Sequence, residues 1–311
     1  MNKGDIHESI DLWYENYLDY YNEDKMPNFF PGGKESIENY LNDRVRNKSA
    51  VVLKDNANNI LGYFSWLYFN FHNEKTAFCP IIGHCGKGID KENIYSALYN
   101  YVSKQWVKND TYNHQWMIYY KDSILQNLSY NMGFGAYVGN ACLRIGSFET
   151  VNNPYKITQA TIKECGLLYD LVEESRSFYQ DSPIFLKREI ITKDEISDLI
   201  KNAPIFIAWD KDKPIGFINI NINKKYDVEE LSIPETGSIS PLGIFIDSRY
   251  RNKGIGKALL NKIRNYCIKN SIEYVFVTFE TANMYANRFW NKNFNPLILS
   301  VRRTVNKDAN T

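Results

Sequence analysis

The sequence of 311 residues is 44% apolar and nearly balanced in charge, with 37 basic and 36 acidic side chains. That composition supports two hydrophobic cores of about 150 residues each and excludes a disordered chain. Apolar runs fall well short of the ~20 residues that span a bilayer, and the N-terminus lacks the apolar segment of a secretory signal. We therefore expect a cytoplasmic protein with no membrane partner.

The first half is predicted to contain two helices, at 6–21 and 34–46, followed by a hairpin that pairs 51–53 with 60–69. A connector follows near residue 150, where Gly, Asn and Pro interrupt the apolar period. We place the domain boundary there, which gives one domain at residues 1–147 and a second at residues 155–311.

The second half repeats this order of elements. After a short strand, helices are predicted at 163–179 and 193–201, and a hairpin follows at 204–222. Thr192 and Glu195 form the capping-box pattern that opens the second of these helices.

The two halves also agree in pattern when they are superposed at an offset of 160 residues. A strand at Trp116, a helix over 123–130 and Gly133-Phe134 then fall on a strand at Phe276, a helix over 283–290 and Asn293-Phe294. This period is longer than that of any solenoid repeat. We infer two tandem copies of one α/β fold with a mixed sheet.

Charge and cysteine content restrict the ligands. The five cysteines show no CxxC spacing, which argues against a disulfide framework and a structural zinc site, so we expect no bound metal. Residues 1–150 hold 14 basic and 17 acidic side chains, whereas the remainder holds 23 and 19. The second half is the better candidate for binding a phosphate-bearing ligand.

The segment 244–259 predicts a phosphate-binding loop. A β-branched run ends at Ile246, and apolar residues at helical spacing begin at Ile255. Between them, Gly254 and Gly256 let an extended ligand approach the backbone. The N–H groups of this turn open a helix, whose dipole favours an anion.

Three phosphate-binding motifs compete for this segment. A Walker loop requires a glycine where the chain has Arg251 and a hydroxyl where it has Ala258. A dinucleotide fingerprint requires a third glycine where Leu259 stands. The pattern Arg251-Asn-Lys-Gly254-Ile-Gly256 after a strand resembles the acyl-CoA pyrophosphate loop of the GNAT superfamily of N-acetyltransferases.

The resemblance extends over residues 155–305. Asn283, Ala286 and the pair Phe289-Trp290 are similar to the family's Asn-x-x-Ala-x-x-Leu/Phe-Tyr segment, and the helices and hairpin upstream follow the family's order. The resemblance implies two tandem GNAT folds and an acyltransferase that moves an acetyl group from acetyl-CoA to a primary amine of a small molecule or peptide. Nucleic acid is not expected as a partner, because one basic segment on a neutral protein releases few counterions.

The resemblance also implies roles for individual residues. Backbone groups of Ile244 and Ile246 would hold the pantetheine arm, and main-chain N–H groups from Arg251 to Gly256 would bind the pyrophosphate. Asn283 would hydrogen-bond the pantetheine or an ordered water near the thioester, cap its helix, or do both. The implied cofactor-binding residues are Ile244, Phe245, Ile246, Arg251, Asn252, Lys253, Gly254, Ile255, Gly256, Lys257 and Asn283.

Acyl transfer to an amine needs a base for the amine and an acid for the departing thiolate. Trp290 stands where the family usually has the acidic tyrosine, so Tyr285 is the substitute candidate. All four histidines lie in the first half, so the base is expected to be a carboxylate or a water relay. Glu229, Glu230 and Glu235 lie in the connection just before the strand that ends at Ile246, and we favour Glu235.

The first half is predicted to be a degenerate copy. Its counterpart of the cofactor loop, Gly83–Glu92, lacks the Arg-x-x-Gly-x-Gly spacing, and Asp90 and Glu92 would satisfy the N–H groups of the helix start. We predict that this half no longer binds acyl-CoA and serves as structure or as one wall of the acceptor cleft. The alternative to an enzyme is a non-catalytic acyl-CoA-binding sensor or scaffold.

Overall fold

The structure is a computed structural model that describes residues 1–71, 73–86, 88, 90–147, 154–181 and 183–310. The predicted connector after Gly146 lies mostly outside these residues. In the first half the helices are α1 (Ile6–Leu18), α2 (Phe30–Arg46), α3 (Lys91–Lys108) and α4 (Ser123–Asn131). Its strands are β1 (Ala50–Lys54), β2 (Ile60–Ser65), β3 (Leu67–Phe71), β4 (Glu74–Cys79), β5 (His84–Gly86), β6 (Asn113–Tyr119) and β7 (Gly135–Arg144).

After one additional strand, β8, the second half has the same succession of helices and strands. Its helices are α5 (Cys165–Gln180), α6 (Lys193–Asn202), α7 (Ile255–Lys269) and α8 (Met284–Asn293). Its strands are β8 (Lys156–Gln159), β9 (Ile205–Asp210), β10 (Lys213–Asn219), β11 (Asn221–Ile222), β12 (Gly237–Ser238), β13 (Ile244–Ile246), β14 (Tyr274–Glu280) and β15 (Asn295–Thr304). The mixed α/β class and the repeated architecture predicted from the sequence are confirmed.

Most predicted elements are present, with one informative difference. The capping box of α6 forms, since Thr192 Oγ1 accepts from the backbone N–H of Glu195 at 3.2 Å and the Glu195 carboxylate accepts from that of Thr192 at 2.7 Å. The strand predicted over 60–69, however, is two strands. The chain breaks at Trp66, and β3 then leaves β2 to pair with β4 in a different sheet.

The strands form two small sheets and one large sheet. The small sheets have the orders β1-β2-β5 and β13-β10-β9-β8, each built within one half of the chain. The large sheet has eight strands in the order β11-β12-β14-β7-β15-β6-β4-β3 and crosses the proposed domain boundary.

The last strand of each half lies within the sheet of the other half. Among the described strands, β7 pairs with β14 and β15, both from the second half. Correspondingly, β15 pairs with β6 and β7, both from the first half. The two halves are therefore joined by an exchange of strands.

A gap opens at the same place in each half. In the second half β12 runs parallel to β14, and the backbone N–H of Ile239 still donates to the carbonyl of Phe276 at 2.9 Å. The chain then departs, and β13 pairs with β10 instead. In the first half β4 runs parallel to β6, and β5 departs to pair with β2.

The connection between β11 and β12 packs against the first half. Leu231 is fully buried in the core that α1 and α2 form with the large sheet. The Tyr226 ring meets the Phe29 ring edge-on at 5.8 Å, and its hydroxyl lies against Gly32, where a Cβ atom would have no room. This docking fixes the acidic segment between Tyr226 and Leu231.

Candidate active site

A cleft of about 370 Å³ lies between β13, the start of α7, α8 and the end of α5, on the side where β13 has left β14. All of the predicted cofactor-binding residues except Lys253 line it, namely Ile244, Phe245, Ile246, Arg251, Asn252, Gly254, Ile255, Gly256, Lys257 and Asn283. The cleft is also lined by Phe178, Tyr179 and Phe289, which were not predicted. The aromatic pair at the end of the amphipathic helix α5 was the available signal for the first two.

The loop before α7 leaves backbone donors exposed to the cleft. Gly254 precedes the helix with φ +81° and Asn252 has φ +62°, both in the left-handed region that favours glycine or asparagine. Within the described residues, no side chain caps α7 and its first turn holds no acidic residue. The free N–H groups and the positive end of the helix dipole are thus available to an anion.

The acid nearest the loop is held by its own partners. Asp247 is buried and accepts from the Arg249 side chain at 2.9 Å, from the Arg249 backbone N–H at 3.0 Å and from Lys213 at 3.3 Å. The hydrogen bond from the Arg249 side chain is the main reason that the pKa of Asp247 lies well below its ordinary value. Its charge is therefore compensated and does not repel a phosphate in the cleft.

The edge of β13 that faces the cleft has no partner strand among the described strands. On the β10 side, Asp247 donates to the carbonyl of Ile215 and Asn219 donates to that of Gly243. Because antiparallel pairs alternate, Ile244 and Ile246 form the pairs without hydrogen bonds, and their N–H and C=O groups point into the cleft. One of them, the carbonyl of Ile246, accepts from Arg251 Nε at 3.2 Å.

Arg251 crosses the mouth of the cleft. Its guanidinium carbon lies 4.3 Å from the Phe178 ring centre and 4.7 Å from that of Tyr285. Tyr285 is 57% exposed and lines the cleft, so its side chain is accessible to a ligand that enters there. Lys253 instead lies over the Tyr250 ring, 4.9 Å from its centre, outside the cleft lining.

Asn283 and Trp290 have different environments. Asn283 is buried, lines the cleft, and caps α8 through a hydrogen bond from the backbone N–H of Ala286 at 3.2 Å. Its side chain also bonds Tyr179, whose pKa is raised chiefly by burial. Trp290 is 2% exposed and packs edge-on against Phe289 and Phe294 in the core.

A second cavity, of about 440 Å³, lies over the opposite face of β14. We call it the acidic groove. It is lined by Leu67, Phe69, Phe78, Gln115, Met117, Tyr137, Val138, Asn140, Asp227, Glu229, Glu230, Thr278 and Ser300. Both halves of the chain therefore contribute to it.

Two carboxylates of the acidic groove, those of Glu229 and Glu230, have raised pKa values. Burial raises the pKa of Glu230, although its carboxylate accepts a hydrogen bond from Thr278 Oγ1 at 2.7 Å. Glu229 is partly in contact with solvent. Its pKa is nevertheless raised to about 7, first because the surrounding protein removes water from the carboxylate and then because Asp227 and Glu230 are negatively charged. Glu235, which we favoured as the base, is exposed in a turn with φ +66° and is not part of this lining.

The corresponding gap of the first half is filled by side chains. His84 stands 160 positions before Ile244, and its Nε2 lies 2.6 Å from the Met117 carbonyl across the gap, with Nδ1 2.7 Å from the Tyr95 hydroxyl. Burial lowers the pKa of His84 to about 4, so the ring is neutral at neutral pH.

An ion pair closes the helix start beside this gap. Lys91, the first residue of α3, donates to the Asp122 carboxylate at 2.9 Å, and both side chains are more than nine-tenths buried. Asp122 also caps α4, as Asn283 caps α8. The predicted capping by Asp90 is not observed, because its side chain accepts from Asn93 instead. Lys87 and Ile89 of the predicted loop lie outside the described residues.

The described part of the chain shows neither a metal-binding cluster nor a membrane-spanning helix. Its His, Cys, Asp and Glu side chains form no group of three or more that could hold a metal ion. None of its helices is long and apolar enough to cross a membrane.

Comparisons with known proteins agree with this geometry. Residues 167–295 match the model of the acetyltransferase (GNAT) family. The structure of a GCN5-related N-acetyltransferase from Sphaerobacter thermophilus is similar over 85% of each chain, with 12% identity and a TM-score of 0.53, which shows the fold. No curated protein matches the sequence.

Two further solved structures overlap with about half of the chain. One is the acetyltransferase of the GNAT family from Streptococcus pneumoniae, at 17% identity and a TM-score of 0.37, covering 49% of this chain and 99% of that one. The other is an aminoglycoside acetyltransferase from an uncultured soil metagenomic sample in complex with sisomicin, at 19% identity and a TM-score of 0.36, covering 45% and 86%.

Proposed function

Because residues 167–295 carry a domain of the acetyltransferase (GNAT) family, we propose that the protein is an N-acetyltransferase that moves an acetyl group from acetyl-CoA to a primary amine. The single observation that supports the donor most strongly is the cleft itself. It combines the uncapped start of α7 with the unpaired backbone edge of β13. One feature suits a diphosphate and the other an extended amide chain.

The donor supplies an activated acyl group as a thioester, and the chain supplies positions and charges around it. Main-chain N–H groups at the start of α7 bind the diphosphate, with Lys257 beside them. A backbone N–H of Ile244 or Ile246 stabilises the oxyanion that develops on the acyl carbonyl. Tyr285, or Tyr179 beside Asn283, provides the proton for the thiolate.

The acceptor approaches from the acidic groove on the other face of β14. Thr278, which binds Glu230, lies two residues beyond Phe276, where β12 and β14 last pair and the gap begins. We assign the proton-accepting role to Glu229 and Glu230 together, because protons shared by close carboxyls belong to the pair. This assignment replaces Glu235 as our favoured base.

Lys257→Glu should weaken coenzyme A binding by about 10- to 100-fold, which corresponds to roughly 1.4–2.8 kcal/mol. The new carboxylate repels the diphosphate and competes for the N–H groups of α7. The melting temperature should stay constant or rise, since an acidic residue stabilises the first turn of a helix. Titration calorimetry with coenzyme A and thermal melting measure the two effects.

Lys262→Glu is the matched control for this variant. It makes the same charge change on the same helix, about 7.5 Å further along its axis. Its affinity for coenzyme A should stay within about threefold of the wild-type value, as expected for a screened charge. Equal binding by Lys257→Glu and the wild-type protein would place the diphosphate elsewhere.

Replacing Glu229 and Glu230 together by Gln should lower kcat/KM for an amine acceptor by about 100-fold at pH 7, a typical loss for a general base. Coenzyme A affinity should not change. In the wild-type protein kcat/KM should rise with pH through about 7, because only the ionised carboxylate accepts a proton. The titratable groups near the pair are Asp227, Tyr40, Tyr137 and Cys142.

Glu235→Gln is the control for the base. An exposed carboxylate in a turn should contribute little, so kcat/KM should stay within about twofold. A large loss of kcat/KM in Glu235→Gln, together with a small loss when Glu229 and Glu230 are both replaced by Gln, would show that Glu235 is the base. The release of thiol from acetyl-CoA should also be measured with a broad panel of amines. If no amine accelerates it although coenzyme A binds tightly, the protein is better described as a non-catalytic acyl-CoA-binding sensor.

A further inference from the structure

The acidic groove runs across the large sheet from the second half into the first. On the second-half side it begins with Thr278 on β14, which pairs with Asn140 on β7. It continues over β15 to Gln115 and Met117 on β6, and it ends at Phe78 on β4 and Leu67 on β3. From β14 to β6 there are three strand spacings, or about 14 Å.

The polar groups are concentrated at the second-half end of this groove. There Asp227, Glu229 and Glu230 supply carboxylates. Asn140 is 96% buried, and while its Nδ2 donates to Thr278 Oγ1 at 2.9 Å, its Oδ1 has no partner among the described residues. Buried acceptors without partners are costly, so their presence in a cavity indicates a ligand that donates hydrogen bonds.

The first-half end of the groove is apolar with one polar exception. Leu67, Phe69, Phe78 and Met117 line it. Gln115 is 94% buried there, and the part of the chain that the structure describes offers its Nε2 group no acceptor. An uncharged ligand group with a lone pair would satisfy this donor.

We propose that the acidic groove binds an elongated primary amine, with its ammonium group at Glu229, Glu230 and Asn140, an apolar chain across the shared sheet, and a neutral hydrogen-bond acceptor at Gln115. The inference rests on the proposed function, since it names the class of acceptor for that site. It also gives the first half a role, because that half provides the apolar end and, through Tyr226 and Leu231, holds the acidic segment in place.

Four simple amines test this arrangement by calorimetry on the full chain, with and without coenzyme A. Octylamine should bind at least about tenfold more tightly than butylamine, because four additional CH₂ groups are buried. 8-Aminooctanamide should bind about fivefold more tightly than octylamine, because its carbonyl accepts from Gln115. 1,8-Diaminooctane should lose this advantage, since a second ammonium group would lie among apolar side chains.

Gln115→Met isolates the neutral contact. The variant should bind 8-aminooctanamide no better than octylamine, and its affinity for octylamine should stay within about twofold. Its melting temperature should be equal or higher, because an unpaired buried amide is removed. Glu230→Gln should weaken all four amines by about tenfold or more, as expected when a charged partner of an ammonium group is lost.

The readout is binding, so the test is independent of acetyl transfer. Tight, length-dependent binding without any acetyl transfer would overturn the proposed function and support this inference. Acetyl transfer with equal affinity for butylamine and octylamine would overturn the inference alone. An equal loss of affinity for octylamine and for 8-aminooctanamide in Gln115→Met would likewise overturn the inference alone. The length series is measured on the wild-type chain and does not depend on the folding of a variant.

Discussion

Residues 1–147 expressed alone should fail to give a folded monomer, and residues 154–311 alone should fail as well. Each fragment contains a final strand whose partners are in the other fragment: β7 pairs with β14 and β15, and β15 pairs with β6 and β7. In each fragment the final strand would lose both of its neighbours and one further strand would lose one, and such exposed edges aggregate or pair with a second copy. Size-exclusion chromatography with light scattering and far-ultraviolet circular dichroism should show aggregates or dimers.

Mixing the two fragments during refolding should restore a 1:1 complex that unfolds in one transition. The control is the full chain with a protease site inserted between residues 147 and 154 and cut after folding. Its halves should remain associated, because the shared sheet does not depend on the connector. A soluble monomer of residues 1–147 with cooperative unfolding would contradict the strand exchange. It would also support residues 1–147 and 155–311 as independent domains.

Local elements were predictable because their signals lie within a few residues. The capping box of Thr192 and Glu195 formed as expected, and Gly254 opens α7 in the conformation that its position requires. The strand exchange was not predictable in the same way. The apolar pattern of β7 or β15 indicates that a strand is buried, but it does not identify the partner strands. For β7 and β14 the paired residues are 130 to 142 positions apart.

The same distinction applies to the candidate site. The loop before α7 could be found from sequence because its glycines and basic residues are consecutive. The environment of Glu229 and Glu230 could not, because it depends on Tyr226 and Leu231 docking against the first half. Proximity in sequence to β13 favoured Glu235, yet its side chain is exposed in a turn with φ +66°.

The first half retains the gap of the fold but fills it with its own side chains. His84 crosses the gap to the Met117 carbonyl, and the Lys91–Asp122 pair fills the space between the starts of α3 and α4. Lys91 also donates to Asn16 at 3.1 Å and to the Tyr20 hydroxyl at 3.3 Å. We therefore propose that this half binds no acyl-CoA, as the sequence predicted, although the groups responsible are different from Asp90 and Glu92.

Asp122→Asn should lower the free energy of unfolding by about 3–5 kcal/mol, the usual result of removing one partner from a buried ion pair. The substitution keeps the cap of α4, because asparagine performs that role for α8. What is lost is the charge that compensates Lys91, whose side chain is 9% exposed. Denaturant unfolding followed by circular dichroism measures the change, and the shared sheet should make it appear in a single transition.

The double variant Lys91→Met and Asp122→Asn tests whether the charge itself is responsible. Because it removes both charges and keeps the volume, most of the lost stability should return, to within about 1 kcal/mol of the wild-type value. Coenzyme A should still bind with a stoichiometry of one, since His84 continues to close the gap of the first half. A second bound equivalent would show that the ion pair, and not the histidine, keeps acyl-CoA out. A loss below about 1 kcal/mol in Asp122→Asn alone would instead mean that water reaches Lys91 and that this helix start is open.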